Sequence, residues 1–216
     1  MTAFFQNIKV QLRKEETKFL ILALAFMTFI TTGALLSSKI TSIGFLTFSV
    51  GVLPFSFSFA MTDIICETWG KERAQRVVTA GFIGMVFIYL FVFIAIYLPP
   101  AHFWKLQNEY SQIFKTSIRV LLAGFFSYIA AQFYDVWFFS LLKKLTKEKH
   151  LWLRNNLSTM ISQLIDTIII ATIGFLGTIP SSTLPIVIFG WWLVKIIIAI
   201  IDTPLVYLLV KWARKS

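Results

Sequence analysis

Apolar runs long enough to cross a bilayer recur along this whole chain, and that one feature decides what it can fold into. A hydrocarbon core about 30 Å thick needs roughly 20 consecutive apolar residues in a helix. Six such runs occur, at about 18–38, 43–66, 76–98, 119–142, 152–177 and 184–210. Inside lipid a segment must satisfy its own backbone hydrogen bonds, so each run is expected to be helical. The expected fold is an all-α polytopic membrane protein, a single domain over 1–216 built as a bundle of six transmembrane helices. Charged residues are only 14% of the chain, against about a quarter in soluble domains, which removes a soluble helical core as an explanation.

The remaining charges set the orientation, because cytoplasmic loops collect Lys and Arg. Of the 20 basic residues, fifteen fall in the N-terminal tail, the loops after the second and fourth spans, and the C-terminal tail. Lys39, Lys105, Lys115 and Arg119 lie on the opposite side, and Lys195 lies within the sixth span. Both termini are therefore expected in the cytoplasm, with the protein in the cell membrane (the inner one where a cell has two). The same asymmetry accounts for the net charge of +10 without a nucleic-acid partner. No cleavable signal is evident at the start. Phe4, Phe5, Ile8 and Leu12 suit one face of a short interfacial helix, with a plain basic tail as the alternative. The segment 98–118 carries Pro99, Pro100, Phe103, Trp104 and Tyr110. It is expected to be a connecting loop with interfacial aromatics, a partial surface helix and a lid being its other readings.

Several chemistries are excluded. Cys66 is the lone cysteine, so there is no internal disulfide and no cysteine-based metal cluster. His102 and His150 fall in loops without a ligand partner at metal spacing. No GxGD, HExxH or GxxxxGK[ST] sequence occurs. Neither a metal, a cofactor nor an enzymatic activity is expected.

A charge at mid-membrane costs about 2.5–3.5 kcal/mol, so each acid within a span needs a reason. Asp63, Glu67, Asp135, Asp166 and Asp202 all lie within or at the ends of spans, together with Lys195. In the fifth span, Asn155, Asn156, Ser158, Thr159, Ser162, Gln163 and Asp166 fall within roughly 160° of arc at about 100° per residue. Such a stripe faces protein or water, and two Asn, a Gln and an Asp suit a cavity better than helix–helix contact alone. The fourth span has a narrower stripe of Gly124, Ser127, Tyr128, Ala131, Gln132 and Asp135. Both stripes contain Ser, four residues, Gln, two residues, Asp. The spans run in opposite directions, so Gln132 and Gln163 are expected level near the midplane, with Asp135 about a turn inward and Asp166 about a turn outward.

Lys195 and Asp202 share a face of the sixth span but stand two turns, about 10 Å, apart. Lys195 is expected to pair across to Asp166 or Asp135. Pro204 is expected to weaken that helix near its inner end. Asp63 and Glu67 share a face at the inner end of the second span, with Arg73 and Arg76 just beyond. They form either a solvated, locally ion-paired helix end or part of a gate.

Three segments, "TDIICETWGKERAQRVV" (62–78), "AQFYDVWFFSLLKKLTKEKHLWLRNNLSTMISQLIDT" (131–167) and "KIIIAIIDTPLVY" (195–207), resemble the queuosine precursor transporter family. That family belongs to the wider vitamin uptake transporters, six-helix proteins similar to the substrate-binding components of energy-coupling-factor transporters. The resemblance runs from about residue 19 to 212 and is most specific between Gln132 and Thr167. It implies a membrane importer of deazaguanine bases, the nitrile and aminomethyl precursors of queuosine, for salvage into tRNA modification. It leaves two alternatives: a substrate-binding component needing a separate energising module, and an importer of another vitamin-like or nucleobase-like ligand. The partners implied are a purine-like base and the lipid bilayer, with a homo-oligomer or an energising module left open.

A guanine-like edge presents adjacent N–H donors and a carbonyl. A carboxylate can accept two such donors, while Asn and Gln offer donors and acceptors together. The expected substrate-binding set is therefore Gln132, Asp135, Asn155, Asn156, Gln163, Asp166 and Lys195, the last setting the charge state. Asp63, Glu67, Arg154, Ser158, Ser162 and Asp202 are expected in gating or structural roles.

Overall fold

A computed structural model describes residues 2–37, 39–44, 46–114, 118–174, 181–182 and 184–215, leaving aside the side chains of 2–13, 40, 47 and 118–122. Seven α-helices and one hairpin follow in the order α1 (Thr2–Leu36), β1 (Ile40–Ile43), β2 (Leu46–Ser49), α2 (Val52–Trp69), α3 (Lys71–Tyr97), α4 (Gln107–Phe114), α5 (Ile118–Leu145), α6 (Leu151–Ile169) and α7 (Leu184–Arg214). A π-helical turn, Ile170–Gly174, extends α6. Five segments are long and apolar enough to cross a membrane: Lys14–Leu36, Lys71–Tyr97, Ala123–Leu145, Leu151–Gly174 and Leu184–Arg214. Large apolar side chains such as Phe87 and Phe91 on α3 and Ile201 and Leu208 on α7 point outward, as a lipid-facing surface requires. The chain is a multi-pass membrane protein.

The second apolar run departs from expectation. Instead of one helix over 43–66, its first part pairs as an antiparallel hairpin, Ile43 opposite Leu46, turning through Gly44 at φ 60. Alternating β-branched and aromatic residues favour strands, and glycine tolerates the positive φ. Among the described residues the regular structure is therefore helical apart from this hairpin. What remains is α2, 18 residues and about 27 Å long. It contacts α1, α3, α5, α6 and α7, and every residue from Ser58 to Glu67 is buried. A helix buried on all sides is a core helix, and everything polar on it must find a partner inside the protein.

Helix α2 ends at Gly70, whose φ of 90 suits glycine, and α3 begins at once with Lys71. The expected basic loop over 70–76 is thus the first turns of a helix. In the segment 98–118, α4 supplies a short helix, held to α3 by Gln107 Nε2 donating to the Ile96 carbonyl at 3.1 Å. The expectations for Phe4, Phe5, Ile8, Leu12, Lys115, the side chain of Arg119 and the end of the fifth span at 175–177 lie outside the described side chains and residues. Pro204 does not end the last helix, which runs through it to Arg214. The Lys18 ammonium donates to the α7 carbonyls of Trp212 (3.0 Å) and Ala213 (3.5 Å), closing the first helix against the last.

Backbones approach closely where α1 meets the start of α2. A Cβ on Gly51 would stand 2.3 Å from the Gly33 carbonyl and 2.9 Å from the Ser37 Cα, both backbone atoms that cannot swing aside. Gly51→Ala is therefore expected to lower stability by about 1–3 kcal/mol. Gly190→Ala, in α7 with open space around it, should be neutral or slightly stabilising. Thermal unfolding of the detergent-solubilised protein checks the contrast.

Candidate functional site

The strongest acid–base contact lies deep in the bundle. Asp166 of α6 pairs with Lys195 of α7, and both are buried. The other Asp166 oxygen accepts from the Ser127 hydroxyl of α5, and Lys195 also donates to Thr167 Oγ1 at 3.0 Å. Lys195 had been expected to reach Asp166 or Asp135; it takes Asp166. An ammonium and a carboxylate removed from water hold each other only if their remaining hydrogen-bonding capacity is met, as Ser127 and Thr167 help to do. The Phe55 ring lies 5.9 Å from the ammonium.

Asp166 and Lys195 line a cavity of about 210 Å³. Its other walls are mostly apolar and aromatic: Phe55, Tyr89, Phe114, Tyr128 and Trp191, with Ser37 and Ser49 toward the hairpin. Tyr128 is fixed by donating to the Val78 carbonyl at 2.7 Å. The π-helical turn starts directly after this site, and Ile170 is part of the wall. Flat aromatic walls around one charged pair make a site for a small planar molecule with a few polar edges.

The repeated Ser, Gln and Asp turn out to interlock. Ser127 of α5 donates to Asp166 of α6, and Ser162 of α6 donates to Asp135 of α5 at 2.9 Å. Ser162 lies one turn along α6 from Ser158, the Ser of the repeat, whose own hydroxyl donates to the Asn155 carbonyl at 3.4 Å. This antiparallel register brings Gln132 and Gln163 to one level, and both are fully buried. Gln132 donates to Ser58 Oγ of α2 at 2.9 Å, while its Oε1 and both polar atoms of Gln163 lack a protein partner.

Below that level lie three more buried acids. Asp63 of α2 accepts from Thr159 at 3.4 Å, one turn along α6 from the Ser162 that holds Asp135, and its Oδ1 has no protein partner. Asp202 of α7 lies buried nearby with Oδ1 unpartnered. At the end of α2, Glu67 collects three cations from three helices: Lys143 of α5 (3.4 Å), Arg154 of α6 (2.7 Å) and Arg214 of α7. Arg154, itself buried, also donates to the Lys149 carbonyl at 2.8 Å and lies over the Phe139 ring. Asp63 and Glu67 are thus not a solvated helix end. Their neighbours are not Arg73, which pairs with Glu16 at 3.0 Å, nor Arg76, which lies 3.8 Å from Glu72. A groove of about 550 Å³ opens on this end, lined by Glu67, His150, Arg154, Tyr207 and Arg214.

Of the seven residues expected to bind substrate, Asp166 and Lys195 line the aromatic cavity. Gln132, Asp135, Asn155 and Gln163 are buried between helices away from its walls. Asn156 bridges the Trp152 carbonyl (2.8 Å) and Thr203 Oγ1 (2.9 Å). Phe55, Tyr89 and Phe114 were not singled out by sequence, since one aromatic among so many carries no positional signal. Lys143 and Arg214 were counted only as loop and tail charges. Among the described residues no group of three or more His, Cys, Asp or Glu could hold a metal ion.

A family model described as "Putative vitamin uptake transporter" matches residues 49–209. The "Probable queuosine precursor transporter" of Bacillus subtilis (strain 168) is 29% identical over 163 residues, covering 75% of this chain and 71% of that protein. No solved structure gives a significant match.

Proposed function

The chain belongs to the vitamin uptake transporter family, and we propose that it imports queuosine precursors, the deazaguanine bases, for salvage into tRNA modification. The observation that carries this reading is the buried Asp166–Lys195 pair at the wall of a small aromatic cavity. The Asp166 carboxylate is placed to accept the N–H edge of such a base, with Lys195 beside the carbonyl and Phe55, Tyr128 or Trp191 against the ring. A cavity of about 210 Å³ suits a free base better than a nucleoside.

In this reading α2 is the sixth span, and both termini lie in the cytoplasm. The hairpin and α4 then lie outside, so the cavity faces outward and the Glu67 clasp closes the inner end. Gln132, Asp135, Asn155, Asn156 and Gln163 shape the layer that a base crosses between the cavity and the inner groove, while Asp63, Arg154, Ser158, Ser162 and Asp202 brace or gate it. The buried amide atoms of Gln163, which no protein group satisfies, suit transient contact with a polar passenger.

The test uses cells unable to make deazaguanines, expressing this protein alone and fed low concentrations of the nitrile or aminomethyl precursor. Queuosine should reappear in tRNA. Well-expressed protein with no queuosine would sink the import reading. Recovery only when an energising ATPase is added would reduce the protein to a binding component.

A further inference from the structure

We propose that Asp63 and Asp135 together form a proton-binding site, and that the proton held there is the coupling ion of import; the second half rests on the transport reading above. Both side chains are fully buried, one on α2 and one on α5. Asp63 Oδ2 accepts from Thr159, and Asp135 Oδ1 accepts from Ser162. That leaves Asp63 Oδ1 and Asp135 Oδ2, both buried without any protein donor. Thr159 and Ser162 stand one turn apart on α6, joined by Ser162 donating to the Thr159 carbonyl at 3.1 Å, so the two carboxyl groups face neighbouring positions of one helix. An ionised carboxylate can only accept, so neither carboxyl can satisfy the other unless one of them carries a proton.

The surroundings supply no substitute for that proton. The groups facing the pair are the Cys66 thiol, Asp202 and the hydroxyls of Ser158, Thr159 and Ser162. Every nearby cation on the packed helices is engaged elsewhere: Lys143, Arg154 and Arg214 on Glu67, Lys195 on Asp166, Arg73 on Glu16, and Lys18 on the α7 carbonyls. Lys71 lines a separate surface pocket with Lys143 and Glu148. Among the described residues no cation forms an ion pair with Asp63, Asp135 or Asp202. Two neighbouring negative charges, fully buried and without a counter-ion, are not sustained; one carboxyl keeps its proton.

The location suits coupling. Asp63 stands one turn from Glu67 on α2, so release of the clasp would bring water to the pair and let the acid give its proton to the inner solution. Asp135 is held by α6, the helix that presents Asp166 to the cavity. Proton occupancy and base occupancy thus act on the same two helices.

Purified full-length protein in lipid vesicles tests this in two ways. Infrared spectra at neutral pH should show a carboxylic-acid carbonyl band that Asp63→Asn and Asp135→Asn each remove. With the nitrile precursor as probe, an alkaline interior should drive accumulation by about tenfold per unit of imposed pH difference for one proton per base. In Asp63→Asn the accumulation should no longer respond to the gradient. The proposal is overturned if neither substitution alters a protonated-carboxyl band. It is overturned equally if wild-type accumulation follows sodium or ignores pH. Should wild-type vesicles move no base under any gradient, the import reading falls, and the infrared result alone decides whether the pair holds a proton.

Discussion

Asp166→Asn is expected to abolish precursor uptake while the protein still inserts into the membrane. The substitution keeps the shape of the side chain but strips Lys195 of its counter-charge, leaving the ammonium with neutral acceptors such as Thr167 Oγ1. Breaking a buried pair by removing one partner costs about 3–5 kcal/mol, equivalent to a loss of some hundredfold or more if it falls on binding. Part of that cost will appear as reduced stability, so the single variant alone does not separate a substrate contact from a brace. The double variant Asp166→Asn with Lys195→Gln does. Removing both charges relieves the unpaired ammonium, so the thermal midpoint in detergent should recover toward wild type. Queuosine recovery in tRNA should stay absent, because the carboxylate that meets the base is gone. A double variant that transports normally would make the pair a scaffold only.

Glu67→Gln should loosen the other end of the bundle, and the chain carries its own reporter for that. Cys66 is the only cysteine, next in sequence to Glu67, and 1% exposed. A neutral amide can no longer hold Lys143, Arg154 and Arg214 against one another. Arg154, fully buried, then becomes an uncompensated charge, at a cost of about 3–5 kcal/mol. We expect a membrane-impermeant thiol reagent to label Cys66 from the cytoplasmic side at least about tenfold faster than in wild type, the equivalent of 1.4 kcal/mol. The three cations should not weigh equally. Arg214 is about half exposed, so Ala there should cost no more than about 1 kcal/mol, less than at Lys143, which is mostly buried and also donates to the Glu67 carbonyl at 2.8 Å. Unchanged labelling in Glu67→Gln would show that the clasp does not close this end.

Sequence legibility here followed the length of the apolar pattern. The runs that became α1, α5, α6 and α7 stand out because lipid demands long uninterrupted helices. The run over 43–66 misled because hydrophobicity alone does not separate a strand from a helix. The signal that could have done so is local: "ITSIGFLTFS" is rich in β-branched and aromatic residues on either side of Gly44. Lys71, Arg73 and Arg76 read as loop because charge was taken for a break, whereas the break is Gly70 alone.

For the site, helical phase located the stripe on α6 and the Lys195–Asp166 pair, since spacing and burial cost are both functions of one sequence. It could not say which stripe residues meet a cavity and which meet another helix. That depends on how α2 inserts between its neighbours, and Ser58, the partner of Gln132, belongs to another element 74 positions away.

The interlocked serines and aspartates of α5 and α6 also limit how this protein can move. Sliding one helix along the other by a single residue would strip Asp135 and Asp166 of their hydroxyl donors at the same moment, with no water at hand to replace them. The two helices are therefore expected to move together. On the import reading, any change that opens the cavity first to one side and then to the other falls to the elements around them, above all the short central helix α2, whose hold on α5, α6 and α7 is the Glu67 carboxylate.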